Sequence, residues 1–357
     1  MAGLVDWRLA ERVAVRMAGA DPFASSYHAS SYPTDAIELT ARAEGLVTET
    51  TGLVPLDGPA RARVVDRPAW IRANIASLQR LLAPVLDRFD AATNKAAIGR
   101  RTTSAVAGAE IGALLGWMSG RVLGQYDLLV VDAADAGDQD VVYYVGPNVL
   151  SLEKRFGFPP HEFRLWLALH EVTHRAQFTG VPWMREHYLG LVHDLMTGLD
   201  PDPQQLATAL KQAVATVRSQ GRRALDDGGI AGLLAGPAQR EAMARIGGLM
   251  SLLEGHGDVT MDRAGAGHVP SAERFARVLR ARREQRTPLV KLVQKVTGLE
   301  AKLAQYQQGE EFIAAIEAVG GPRVVDRCWA GPAFLPSLDE IRAPHDWLAR
   351  VGVVPVG

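Results

Sequence analysis

The chain has 357 residues, of which 47% are hydrophobic and 22% are charged, and its formal net charge at pH 7 is −1. This balance is typical of a globular protein with a hydrophobic core and gives no indication of a nucleic-acid or membrane partner. The single cysteine, Cys328, excludes an internal disulfide and a CxxC metal site, so a metal would be bound through His, Asp and Glu. We expect a buried thiol in a cytoplasmic protein.

The N-terminal third of the chain predicts helices. Residues 5–20 have the pattern of an amphipathic helix and not of a signal peptide, because charged residues such as Arg8 and Glu11 interrupt the apolar ones. The segments that follow are predicted as a loop over 21–34, a helix over 35–50, a turn-rich connection over 52–59 and a helix from Pro68 to about residue 92.

A weakly polar run over 102–126 predicts a buried helix, because Glu110 and Arg121 argue against a membrane span. Glycine recurs in it every four residues. The positions are Gly108, Gly112, Gly116, Gly120 and Gly124. Such a ridge has no side chains, so we expect another helix of the fold to pack closely against it.

Two segments rich in β-branched and aromatic residues, 126–131 and 141–145, predict a β-hairpin. The acidic loop between them, 132–140, does not have the spacing of an EF-hand, which favours a solvated turn over a calcium site. Residues 141–145 could form a sheet edge to which a peptide pairs, or a buried structural strand.

The remainder of the chain is predicted to be helical. After Pro159-Pro160 we expect a helix over 161–178, and then helices over 184–197, 203–219, 237–256, 271–285, 288–295 and 298–319. The last 35 residues have few regular patterns, and the glycine-rich stretch 228–236 predicts a flexible connection. The fold class is therefore mainly α with a small β-hairpin. We expect one domain, with a possible division into 1–125 and 126–357.

The chemistry of the sequence is concentrated in an HExxH motif. His170 and His174 lie one turn apart on the predicted helix over 161–178, so both imidazoles can reach one zinc ion. Glu171 is turned away from the two histidines, where it can reach a metal-bound water without being a ligand. This is the position of a general base.

A catalytic zinc ion needs a third protein ligand, which is often a glutamate of an ExxxD pattern on a second helix. Glu254 and Asp258 have this pattern. We predict that Glu254 binds zinc and that Asp258 accepts the second N–H of a ligating histidine, His170 first. Asp258 as a surface carboxylate is the alternative. Four rivals for the third ligand stay open, and they are His256, Glu186, His187 and His193.

Four segments resemble the zincin-like metallopeptidase family of actinobacteria. They are LWLALHEVTHRAQF at 165–178, VPWMR at 181–185, SLLEGHGDVTMD at 251–262 and GLEAKLAQYQQGEEF at 298–312. The opening VDW at 5–7 and the stretch VLGQYD at 122–127 are similar to the branch associated with biosynthesis of a deazaflavin coenzyme. The resemblance implies a zincin-like fold with the HExxH helix packed against a second ligand helix.

The function expected from these observations is hydrolysis of a peptide or small amide by water activated on Zn²⁺. Tyr306 is the first candidate for a donor to the developing oxyanion, with His256 and His268 as alternatives. Trp183 and Arg185 could line a pocket wall, or Trp183 could be a core plug behind a helix cap.

Two other functions stay open. The chain could be a binding or assembly module on a zincin scaffold without turnover, although such a module would not need Glu171. It could also bind a nucleotide, a coenzyme or another acidic ligand through the basic stretch 274–302, for which a solvated helix face is the alternative. The oligomeric state cannot be inferred, although a dimer is compatible with the sequence.

Overall fold

The computed structural model describes residues 4–21, 23–92, 97–126, 140–197, 237–284 and 299–353. The chain divides into two compact units. The first consists of Met1–Ala176 with Met261–Phe275, and the second of Gln177–Thr260 with Ala276–Gly357. The expectation of one domain, with a possible division into 1–125 and 126–357, stays a prediction.

The fold is mainly helical with a small sheet, as predicted. The helices of the first half are α1 (Trp7–Ala18), α2 (Tyr27–Thr51), α3 (Arg67–Ala92), α4 (Ala97–Ser119), α5 (Gly146–Phe156), α6 (Pro160–Thr179) and α7 (Met184–Thr197). The later helices are α8 (Pro237–Gly265), α9 (Ala272–Glu284), α10 (Leu299–Gly320), α11 (Leu338–Arg342) and α12 (Pro344–Arg350), with 3-10 turns at Val324–Ala330 and Pro332–Phe334. Within the described ranges, none of these helices combines the length and the hydropathy needed to cross a membrane.

Among the described residues, the sheet has three strands, β1 (Arg61–Val65), β2 (Gly124–Tyr126) and β3 (Val141–Val145), in the order β1-β3-β2. Strand β2 pairs with β3 antiparallel. Of the two strands predicted for a hairpin, 141–145 is confirmed, whereas 126–131 shares only Tyr126 with β2 and otherwise lies outside the described residues, as does the acidic loop apart from Asp140. Strand β1 was not predicted. It pairs parallel to β3 from Arg61↔Val141 to Val65↔Val145, so β3 has a neighbour on each side and is completely buried. Of the two alternatives for 141–145, the structure contradicts the sheet edge and agrees with the buried structural strand.

Two further elements differ from the prediction. Helix α2 begins at Tyr27, within the segment predicted as a loop, because the Ser26 side chain caps it by accepting a hydrogen bond from the N–H of Ala29. Helix α5 occupies a stretch for which no helix was predicted, with Pro147 in its first turn. The predicted helices over 203–219 and 288–295 and the flexible connection over 228–236 lie outside the described residues.

The glycine ridge of α4 packs directly on α1, as predicted for a close helix contact. A methyl group at Gly116 would lie 2.8 Å from the carbonyl oxygen of Ala14. At Gly108 and Gly112 it would overlap the carbonyl oxygens of Asp6 and Ala10, which repeat the four-residue spacing. The other two glycines follow the helix. Gly120 has no neighbour within 4 Å, and Gly124 contacts a side chain discussed below.

Replacement of Gly112 by valine is expected to lower the free energy of unfolding by about 1–3 kcal/mol, because the neighbouring atoms belong to the backbone of α1 and cannot move independently. Gly120→Val is the matched control, since a side chain at Gly120 enters open space. Urea titrations followed by circular dichroism would measure both changes. Equal losses in the two variants would show that the α1–α4 contact is not the cause.

The core of the second unit surrounds α10. Phe312, Ile316 and Trp347 are fully buried there together with Cys328, as expected for a small apolar thiol. Burial also raises the pKa of the Cys328 thiol above its ordinary range. Helix α8 crosses α10 with Gly255 against Gly309, where added methyl groups would overlap the opposite backbone. This crossing fixes the turn of α8 that begins at Glu254.

Candidate metal centre

Helix α6 carries both histidines of the HExxH motif. The Nε2 atoms of His170 and His174 lie 3.2 Å apart, and the two ring planes meet at 88°. Both rings are half-buried, while the side chains between and around them, such as Leu169 and Val172, are fully buried. The helix therefore directs two imidazole nitrogens to one point, which is the arrangement that a shared metal ion requires.

Glu254 completes the arrangement. One ligand atom from each of His170, His174 and Glu254 can be chosen so that all three lie within 4.8 Å of one another. In the part of the chain that the structure describes, no other group of three or more His, Cys, Asp or Glu side chains meets this criterion. Two imidazoles and a carboxylate are a common ligand set of catalytic zinc sites.

Glu171 is held by strand β2. Its side chain is only 7% exposed, and its Oε2 accepts a hydrogen bond of 3.1 Å from the backbone N–H of Tyr126. The carboxylate also packs on Gly124, where an added methyl group would lie 2.5 Å from Oε1. The sequence motif locates Glu171 on the helix, but it does not reveal these contacts with the sheet.

A buried arginine follows the motif and ties α6 to the sheet. Arg175 is fully buried, and its guanidinium donates to both carboxylate oxygens of Asp140, to Glu44 and to the carbonyl oxygen of Gly58. Burial lowers the pKa of Arg175, but hydrogen bonds and ion pairing with Asp140 outweigh this effect and raise it above the ordinary value. The charged side chain of Arg175, one residue after His174, thus forms a buried clamp, by which we mean its bonds from α6 to Asp140, Glu44 and Gly58.

A second buried arginine lies on the same face of α6. Arg164 precedes Arg175 by 11 residues, which is close to three full turns. It donates to both oxygens of Glu153 and pairs with Asp35. Sequence reasoning missed both arginines. The available signal was their three-turn spacing, which places both on one face of the helix.

A family model described as zincin-like metallopeptidase matches residues 5–348. The chain belongs to this family. A crystal structure from Chloroflexus aurantiacus, described as that of "a putative hydrolase with a novel fold", is 31% identical with a TM-score of 0.71, and the match covers 98% of this chain and 99% of that chain. No curated protein matches the chain.

Within this zincin-like chain the rivals for the third ligand do not join the group. His256 is buried, and its Nδ1 lies 2.9 Å from Nε2 of Gln177, which also donates to the carbonyl oxygen of Leu253. Its Nε2 lies 3.5 Å from Oγ1 of Thr260. His256 is thus a core histidine with both nitrogens engaged. Glu186, His187 and His193 lie on α7 and are not part of any such group among the described residues.

Three other residues were predicted to support catalysis, and they are Asp258, Tyr306 and His268. Asp258 lies one turn after Glu254 on α8 and is half-buried, so its predicted bond to His170 stays a prediction. Tyr306 belongs to α10, but its side chain lies outside the described residues. His268 is exposed, with its Nδ1 3.0 Å from a guanidinium nitrogen of Arg42.

Two further expectations concern Trp183 and the basic stretch 274–302. Trp183 is half-buried and donates from Nε1 to the carbonyl oxygen of Trp329, which favours the core plug over a free pocket wall. Of the basic stretch 274–302, side chains are described up to residue 281. Arg274 donates to the carbonyl oxygens of Phe156, the last residue of α5, and of Gly157, which caps the helix, so it has a structural partner.

Proposed function

We propose that this zincin-like protein is a zinc-dependent hydrolase, a metallopeptidase that cleaves peptide or related amide bonds with Glu171 as the general base. One observation carries the proposal. Ligand atoms of His170, His174 and Glu254 come within 4.8 Å of one another, and Glu171 directly follows the first of these residues. The family membership and the similarity to a structure described as that of "a putative hydrolase" support the same reaction class.

The three side chains fit zinc by their chemistry. The Nε2 atoms of His170 and His174 and a carboxylate oxygen of Glu254 would hold the ion, which leaves a coordination position for water or substrate. When bound, zinc supplies a Lewis acid that lowers the pKa of its water to about 7. Asp258 would orient the His170 ring through its second nitrogen.

Glu171 would move the protons of the reaction. Its carboxylate takes a proton from the attacking water and then delivers one to the leaving amine, as a general base and general acid in sequence. Tyr306 stays the first candidate for a donor to the oxyanion, since both ring nitrogens of His256 have partners in the core.

An extended substrate would not pair with β3, which has a neighbour on each side among the described residues. The outward-facing backbone of the edge strand β2 is engaged as well, because the N–H of Tyr126 donates to Glu171. The catalytic carboxylate thus occupies the part of the sheet edge that a peptide strand would need.

The test uses the zinc-loaded protein with pooled quenched-fluorescence peptides as substrates. Glu171→Gln is expected to keep about one zinc per chain and to lower kcat by about 10²–10⁴-fold, because it removes only the proton acceptor. Glu186→Gln, at an exposed position, is the matched control with unchanged kcat. Turnover by Glu171→Gln equal to that of the parent would exclude Glu171 as the base.

Two further results would support the alternative functions. A parent protein that holds zinc but turns over no peptide or amide would support the non-catalytic scaffold. Binding of an acidic ligand that is lost in Arg277→Ala and Arg280→Ala, both at exposed positions, with zinc retained, would support the acidic-ligand function.

The finer placement of the chain is also part of this proposal. Membership of the chain in the actinobacterial branch that is associated with a deazaflavin coenzyme is supported by the stretch 122–127, which resembles that branch. This stretch contains β2, the strand that binds Glu171. A cytoplasmic location is supported by the single, buried cysteine. The partners proposed are a peptide or small amide, with neither nucleic acid nor membrane.

A further inference from the structure

We propose that strand β2 positions the catalytic carboxylate, with the backbone N–H of Tyr126 fixing Glu171 and the missing side chain of Gly124 providing the space that its carboxylate occupies. The inference rests on the proposed function, because it names Gly124 and Tyr126 as positioning residues for the general base. Neither residue is part of the HExxH motif.

The strand register explains why the N–H of Tyr126 is available. Val145 donates from its backbone N–H to the carbonyl oxygen of Leu123 at 2.9 Å, and Tyr126 lies opposite Val142 in the antiparallel pair. Because hydrogen-bonded pairs alternate along antiparallel strands, the backbone of Gly124 and Tyr126 faces away from β3. The N–H of Tyr126 therefore does not contribute to the sheet and donates to Oε2 of Glu171 at 3.1 Å.

Gly124 is required for space and not for its backbone conformation. It is not among the glycines with positive φ, so an alanine could adopt its backbone angles. A Cβ atom there would lie 2.5 Å from Oε1, 2.7 Å from Cγ and 2.8 Å from Cδ of Glu171. Any side chain at this position must displace the carboxylate.

Such a displacement would affect catalysis more than binding. A general base acts only within hydrogen-bond reach of the proton that it removes, and a misplacement of about 1 Å can lower a rate about a hundredfold. The three predicted zinc ligands do not include Glu171. Moving its carboxylate should therefore change kcat while zinc stays bound.

The first experiment compares Gly124→Ala with Gly120→Ala, both loaded with zinc and assayed with the pooled quenched-fluorescence peptides. Gly120 is the matched control because an added methyl group there meets nothing within 4 Å. We expect Gly124→Ala to keep about one zinc per chain and to lose about a hundredfold in kcat, with KM changed by less than about twofold. Unchanged kcat in Gly124→Ala would overturn the proposal.

The second experiment tests the contact without any substrate. Gly124→Ala is expected to lower the thermal midpoint by about 2–6 °C in the parent and by less than about 1 °C in a Glu171→Ala background, where the crowding group is absent. Equal shifts in both backgrounds would overturn the proposed contact. A parent without turnover would overturn the proposed function, a result distinct from a loss confined to Gly124→Ala.

Discussion

Replacement of His174 or Glu254 by alanine is expected to reduce bound zinc from about one ion per chain to near zero after dialysis. Each change removes one of three protein ligands, and a site with two ligands holds zinc far more weakly. Elemental analysis of protein purified without added metal, followed by competition with a chromogenic chelator, would measure stoichiometry and affinity. We expect the affinity to fall by more than about a hundredfold, beyond the loss typical of outer-shell changes.

Two controls make this result specific. His193→Ala and Glu186→Ala remove exposed side chains of α7 that were rivals for the third ligand, and both should retain zinc. If Glu254→Ala retains zinc while either control loses it, the third ligand lies on α7. A parent that binds no zinc after reconstitution would exclude the metal centre altogether.

The sequence predicted the local part of the site. The spacing of His170 and His174 determines their relative position on any helix, and the same holds for Glu254 and Asp258. The boundaries of α6 and α7 were predicted closely for the same reason, because apolar periodicity and prolines mark helix ends.

The non-local part could not be predicted. Strand β1 has alternating arginines and only two β-branched residues, so its own sequence gives a weak strand signal. Without β1, a sheet edge and a buried strand were both open for 141–145. Its parallel pairing with β1 makes it the central strand, and the edge that contacts Glu171 is then β2.

The partners of the buried arginines were hidden for the same reason. Arg175 meets Asp140 and Glu44, which lie 35 and 131 residues away along the chain. Asp140 was assigned to a solvated acidic loop, and one sequence offers no means to pair a charge with a distant partner. Its φ of 55° places it in the left-handed region just before β3, where an ion pair to Arg175 holds it.

Arg175→Met is expected to lower the free energy of unfolding by about 3–5 kcal/mol, because it leaves the carboxylate of Asp140 buried without its guanidinium partner. Methionine keeps most of the side-chain length, so the loss reflects charge and hydrogen bonds more than volume. The measurement is a urea titration with a chelator present, which removes any contribution from zinc binding at the neighbouring His174.

Arg323→Met is the control for this prediction, since Arg323 pairs with Asp326 but its side chain is 81% exposed. Its loss should be about 0–1 kcal/mol. Asp140→Asn should fall between the two, because asparagine tolerates a positive φ and keeps a partner for Arg175 but lacks the charge. Similar losses for Arg175→Met and Arg323→Met would mean that the buried clamp does not stabilise α6, and the position of the HExxH motif would then depend on apolar packing alone.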